Sequence, residues 1–220
     1  MKNATKATVS AMSAIVALAG LEHGVGEILQ GNVKPDGMVI MSWQDPAFAV
    51  LAGEPAMTIV PSLLASGVLS ILVSLVFFLW ATLFIQRKYG GPVLILLSVI
   101  LLLVGGGFAP PILGIILGAA AIKVNSRWAR WSARRPSRVR HFLGRTWEWF
   151  LAASIVAFLM VFPGLILIDH FVGLSNPELM ATILPLFALG SLLMAILSGF
   201  ARDSLRQSGT FSGTFGPAAP

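Results

Sequence analysis

From Met57 to Ile85 the sequence runs without a single charged residue. A soluble fold has no use for a stretch of that length and composition. A helix needs about 20 apolar residues to cross the hydrocarbon core of a bilayer, and an uncharged apolar run of this kind reads as a membrane helix. Three other runs qualify in the same way, giving expected spans at 7–29, 57–85, 148–168 and 179–200. Only 11% of the residues are charged and 56% are hydrophobic, whereas soluble domains carry about 25% charge. The mean hydropathy of +0.87 agrees. The chain has no cysteine, which excludes disulfides, thiolate catalysis, iron–sulfur clusters and cysteine-type zinc sites.

A fifth apolar region, "PVLILLSVILLLVGGGFAPPILGIILGAAAI", covers residues 92–122. Three glycines followed by Ala-Pro-Pro interrupt it, and Pro removes a backbone donor, so the region breaks in the middle. Basic residues flank it on both sides: Arg87 and Lys88 before, Lys123 and a run of arginines after. Lys and Arg accumulate in cytoplasmic loops, so an even number of passes must separate the two flanks. The expectation is two short helices, 92–106 and 109–122, joined at a turn containing Gly105, Gly106, Gly107, Pro110 and Pro111. Either a tight outer turn or a re-entrant hairpin satisfies this pattern. The fold expected is therefore an all-α integral membrane bundle of about six membrane segments in one domain, residues 1–206. A disordered cytoplasmic tail, 207–220, follows. Both termini fall inside, and of fifteen Lys and Arg only Lys34 falls outside. The start of the chain also has a rival reading as a secretory leader, with Ala17-Leu18-Ala19 at the cleavage position.

Polar groups stand out against this background. "LEHGVGEILQG" places Glu22, His23 and Glu27 in the outer half of the first span. His23 and Glu27 share a helix face, while Glu22 points about 140° away from Glu27. Gly20, Gly24 and Gly31 lie along the Glu27 side and form a stripe of small residues suited to close helix approach. Ionisable groups in a membrane are candidates for function. Glu54, before the second span, and Asp169 and His170, ending the fifth, belong to the same outer level. Convergence of these six would make a proton relay or a cation site. A metal set of His23, Glu27 and His170 is the chemical extreme of that idea; interfacial polarity and helix-to-helix hydrogen bonding are the plainer explanations. The loop segment "DPAFAVLAG" reads as a short helix with Asp45 as N-cap, Pro46 at N1 and Gly53 as its stop.

The loop 123–145 mixes arginine with tryptophan. Arg127, Trp128, Arg130, Trp131, Arg134 and Arg135 fit contact with anionic lipid headgroups, through snorkelling cations and interfacial rings. Nucleic acid is a poor alternative, because no recognition module surrounds these residues. No Walker A sequence, serine-nucleophile elbow, dinucleotide fingerprint or calcium loop is present. The reading leans away from an enzyme, and no cofactor is implied.

The strings "LEHGVGEILQG", "GEPAMTIVP" and "LLLVGGGFAPPILGI" resemble a family of small, uncharacterised prokaryotic multi-pass membrane proteins, over about residues 10–122. That resemblance implies a prokaryotic cytoplasmic membrane and carries over no site residue. Three function classes follow from the sequence. The first is a non-catalytic accessory or assembly protein, joining a partner or a second copy through Gly/Ala helix faces. An ion or small-solute transporter using the outer cluster and the broken hairpin is second. A membrane enzyme or divalent-metal site is third.

Overall fold

A computed structural model of the chain describes residues 3–124 and 137–207. It is all-α apart from a small hairpin. Helix α1 spans Ala4–Leu29; strands β1, Val39–Met41, and β2, Pro55–Met57, flank a 3-10 turn at Pro46–Leu51. Helix α2, Leu63–Leu79, runs into a π turn at Trp80–Phe84. The short pair α3, Gly90–Leu103, and α4, Ala109–Val124, follows. Helix α5, Ser137–Leu159, continues through a π turn at Met160–Gly164 into α6, Leu165–Val172, and α7, Pro177–Gln207, ends the described chain. Four rods, Ala4–Leu29, Leu63–Phe84, Arg138–Val172 and Pro177–Arg206, are long and apolar enough to cross a membrane, while α3 and α4 are shorter.

The bundle is built around α1, which packs against α2, α4, α5 and α7. Of the four rods, α1 is the least hydropathic, yet 67% of its span is buried, against 28–33% for the others. This inversion has a physical basis. Lipid tails are as apolar as leucine, so nothing drives leucine inward; small and polar residues gain most from the protein interior. Gly24 of α1 and Gly67 of α2 show the result. A Cβ on either would strike the carbonyl of the other, so the two backbones are in contact. Gly91 and Gly118 bring α3 and α4 together in the same way. Ser70 donates to the Gly20 carbonyl at 3.0 Å and ties α2 to α1.

The start of α1 and the last turns of α7 meet at one end of the bundle. Asn3 caps α1 by accepting from the Lys6 amide at 2.9 Å. Asp203, in the last turns of α7, accepts from the amides of Ala4 at 2.7 Å and Thr5 at 3.0 Å. A carboxylate at a helix N-terminus satisfies orphan amides and meets the positive end of the helix dipole. Trp147 of α5 completes the knot by donating to the Thr8 hydroxyl at 2.8 Å.

Several expected boundaries move. Met57–Ser62 is not helical: it ends β2 and then pairs with the hairpin tip, and Ser62 caps α2 through the Ala65 amide. Pro163 has no amide to give and crowds the preceding turn, so the rod passes through a π turn at Met160–Gly164 and continues as helix to Val172, beyond the expected end at 168. Pro110 and Pro111 sit in the first turn of α4, not in the tip, because an N-terminal turn needs no amide from them. Gly31, at φ 83°, stops α1 and does not extend the small-residue stripe. The headgroup residues Arg127, Trp128, Arg130, Trp131, Arg134 and Arg135, and the tail from 208, lie outside the described residues.

Candidate functional site

The loop between α1 and α2 folds back over the far end of α1. Its strands pair antiparallel, with Val39 opposite Met57, Ile40 opposite Ala56 and Met41 opposite Pro55. Gln30, one residue past α1, holds this lid by donating to the carbonyls of Ser42 at 2.8 Å and Met41 at 3.0 Å. Asp45 caps the 3-10 turn by accepting from the Ala47 amide at 2.8 Å. Trp43 stacks on Phe48 with ring centroids 4.1 Å apart. The segment then turns through three left-handed residues, Ala52 at φ 53°, Gly53 at 69° and Glu54 at 52°. Two of these are not glycine, and such a backbone costs on the order of 1–3 kcal/mol per residue unless the surroundings hold it. The turn delivers the Glu54 side chain into the protein, where the residue is 5% exposed.

Glu54 arrives beside His23 and Glu22. The His23 Nδ1 lies 3.2 Å from Glu22 Oε2 and 3.4 Å from Glu54 Oε2. The same nitrogen is 2.9 Å from the Ala19 carbonyl one helical turn back. One ligand atom from each of the three residues falls within 4.8 Å of the others. Among the described residues no Lys or Arg pairs with Glu22, Glu27 or Glu54. Both carboxylate oxygens of Glu22 and Glu27, and Glu54 Oε2, are buried without a hydrogen-bond partner. Glu54 stands in the lid, outside the helical spans, and burial pushes its carboxyl up to about 9; the Glu22 carboxyl adds to the rise and His23 opposes it. A carboxyl in this setting keeps its proton at neutral pH, unless a cation takes the proton's place.

The tip of the α3–α4 hairpin forms the roof. Segment 57–59 pairs with 103–105: the Ile59 amide donates to Leu103 at 3.0 Å and the Gly105 amide to Met57 at 2.9 Å. Ser66 adds bonds to the Val104 carbonyl at 3.0 Å and the Thr58 hydroxyl at 2.7 Å. Non-helical backbone at the hairpin tip thus has its partners inside the protein. Gly105, at φ 95°, lies against the Glu27 carboxylate, and Gly107, at φ 79°, against the His23 ring. Any side chain at either position would meet those groups and would also be strained by the left-handed backbone. Gly106 packs against Leu101.

Beside the cluster, a cavity of about 350 Å³ opens between α1 and the α5–α6 rod. Its walls are Ile15, Leu18 and Ala19 on one side and Phe158, Phe162 and Leu167 on the other, closed by Phe48 of the lid. Glu22 and Glu54 border it through their aliphatic stems, and both Glu22 carboxylate oxygens and Glu54 Oε2 are buried behind an apolar wall. Leu18 and Leu167 are more than half exposed at its edge, on the face that an apolar rod presents to lipid.

Of the six residues expected to converge, Glu22, His23 and Glu54 do. Glu27 lies fully buried under Gly105, one turn beyond His23. Asp169 accepts from the Leu174 amide at 3.1 Å and closes the end of α6, and His170 packs edge-on against Phe171. Neither joins the cluster. Sequence reasoning treated the hairpin and the acidic stretch as separate features, and it passed over Thr58 and Ser66, which join them. Their signal, hydroxyls in an apolar run, is too common to single them out. No known protein family, curated protein or solved structure matches the chain.

Proposed function

We propose that this is a non-catalytic multi-pass membrane protein that binds an amphiphilic small molecule drawn sideways from the bilayer. The apolar body would occupy the cavity between α1 and the α5–α6 rod, and the polar head would stay at its open edge. The cavity carries this reading. Its volume of about 350 Å³ lies within the roughly 300–1,000 Å³ of small-molecule sites, and its wholly apolar wall suits a hydrocarbon chain. The rim is lipid-facing, which suits a ligand soluble in lipid. An accessory role through Gly/Ala faces loses support, because Gly20, Gly24, Gly67, Gly91 and Gly118 all meet neighbours within the chain.

The same proposal sets the protein in a prokaryotic cytoplasmic membrane, with six segments and both termini inside. It rests on the distribution of Lys and Arg and agrees with the shared end of α1 and α7. The cluster and the lid then face outward. A carrier for an ion or small solute is the second reading, favoured by the broken hairpin meeting the polar groups. Helix breaks that expose backbone near a buried site recur in transporters.

Photolabelling tests the first reading. The protein, reconstituted in liposomes, is irradiated with a dodecyl amphiphile bearing a terminal diazirine, and the labelled peptides are mapped. Label should concentrate at 15–22 and 158–167 and fall several-fold in Leu167→Trp, which fills the rim. Even labelling over the lipid-facing side of α2, for instance at Leu69 and Leu72, with no response to Leu167→Trp, would contradict it.

A further inference from the structure

We propose that Glu22, His23 and Glu54 are the ligands of a divalent transition-metal ion of the zinc class. All three belong to the six residues expected to converge; of the narrower metal set His23, Glu27 and His170, only His23 is among them.

The first support is spacing. Zinc is held at about 2.0–2.2 Å by imidazole nitrogen and carboxylate oxygen, usually in a tetrahedron, so neighbouring ligand atoms stand about 3.3 Å apart. The His23 Nδ1 stands 3.2 Å from Glu22 Oε2 and 3.4 Å from Glu54 Oε2. The second support is orphaned capacity. Glu54 is 5% exposed and its Oε2, which faces His23, has no hydrogen-bond partner. Both Glu22 oxygens are buried likewise, and in the metal-free protein a proton shared between Glu22 and Glu54 holds the place the ion would take. Two carboxyls and an imidazole with no Lys or Arg paired to them need a proton or a cation, and one dication balances the two carboxylates. The third is ligand chemistry. Imidazole with carboxylate suits zinc, iron or nickel, whereas magnesium and calcium prefer oxygen alone.

The geometry also specifies which nitrogen binds. Nδ1 is the ring nitrogen near both carboxylates, while Nε2 faces Gly107. The Nδ1 axis points to the Ala19 carbonyl, so the ring turns off that carbonyl to take an ion. Without metal, the Nδ1 proton lies toward the Ala19 carbonyl at 2.9 Å. With metal, Nδ1 gives its lone pair to the ion and the proton moves to Nε2, so loading exchanges the tautomer. Three protein ligands leave a position open, as in zinc sites that act on a further ligand. The stems of Glu22 and Glu54 border the cavity, while their buried oxygens turn toward His23 and away from its wall. The metal site itself does not depend on the cavity being filled.

The test uses the full chain, purified in detergent and stripped with chelator. Titration with Zn²⁺ followed by calorimetry, and with Co²⁺ followed by its visible absorption, should show saturable uptake of one ion per chain. His23 nitrogen shifts should report Nδ1 as the bound atom. His23→Gln and Glu54→Gln should each weaken uptake roughly 100-fold, the upper range for disturbing a metal shell. Glu22→Gln, at a residue bordering the cavity, should weaken it without loss of fold and serves if the buried variants do not fold. His170→Ala should bind as the native chain does. Absence of saturable uptake in the native protein would overturn the proposal, as would equal uptake in Glu22→Gln or loss of uptake in His170→Ala. Dodecyl labelling that persists in the metal-free protein would leave the cavity reading standing while the metal reading fails.

Discussion

Glu54 occupies a left-handed backbone position and buries an acid, two local costs that nothing in its own segment repays. The repayment is long-range, through His23 and Glu22 of α1. Its proton balance makes a first prediction, for protein held in chelator. The carboxyl has a folded value of about 9, above its ordinary 4.5. The folded state therefore binds the extra proton, and stability is fullest below pH 4.5 and declines as pH rises toward 9. Glu54→Gln, which imitates the protonated acid, should flatten that decline and raise thermal stability at pH 8 relative to the native chain. Glu22 and His23 face the same group, so the residual slope belongs to them. An unchanged slope in Glu54→Gln would show that Glu54 is ionised in the folded protein. A second prediction concerns Gly105. Alanine there meets the Glu27 carboxylate at φ 95°, and a loss of about 1–3 kcal/mol should follow. Denaturation of Gly105→Ala beside Gly37→Ala, where a Cβ meets nothing, measures it. At this scale the sequence was informative about which residues are odd, since Glu22, His23 and Glu27 stand in an apolar run. Which odd residues meet was hidden. Asp169 looks as unusual as Glu54, yet its carboxylate serves only a local amide at the end of α6.

Elements were legible where period and length decide them. The apolar rods α1, α2 and α7 and the broken pair α3–α4 follow from hydropathy and from Gly and Pro. The failures share a cause. Absence of charge does not separate a helix from a strand or a paired loop, so Met57–Ser62 was read into α2. Hydropathy alone also carried the expected span 148–168 straight through Pro163, where the structure has a π turn. Helix packing yields the third prediction. Gly24 touches the Gly67 backbone, while Gly190 of α7 has open space around it. Gly24→Leu should force α1 from α2 and cost about 1–3 kcal/mol or more, in the manner of an overpacked core. Gly190→Leu should be near neutral. Equal melting temperatures for the two variants would argue against the α1–α2 contact.

At the scale of the molecule, α1 is a polar-faced axis wrapped by greasier rods, tied at one end by Asp203 and roofed at the other by the lid and the hairpin tip. The proposed direction of the chain in the membrane rests on charge, because sorting of Lys and Arg leaves a composition signal. The meeting of three distant segments at one end leaves none. Orientation yields the fourth prediction. The chain has no native cysteine, so any thiol is an introduced one. Lys34→Cys should react with an impermeant maleimide in intact cells, whereas Lys6→Cys and Gln86→Cys should react only after lysis. Labelling of Lys6→Cys in intact cells would reverse the proposed orientation.

The central claim is that the lid brings Glu54 onto α1 beside Glu22, and a pair of introduced cysteines tests it most directly. In the double variant Glu22→Cys, Glu54→Cys, a short bifunctional thiol crosslinker applied to native membranes should bridge the two positions, because their native ligand atoms lie within 4.8 Å, and proteolysis with mass spectrometry locates the bridge. The pair Glu22→Cys, Asp169→Cys should stay unbridged under the same treatment. A bridge in the second pair and none in the first would contradict the account, since Glu54 would then lie elsewhere and no site would exist at Glu22, His23 and Glu54.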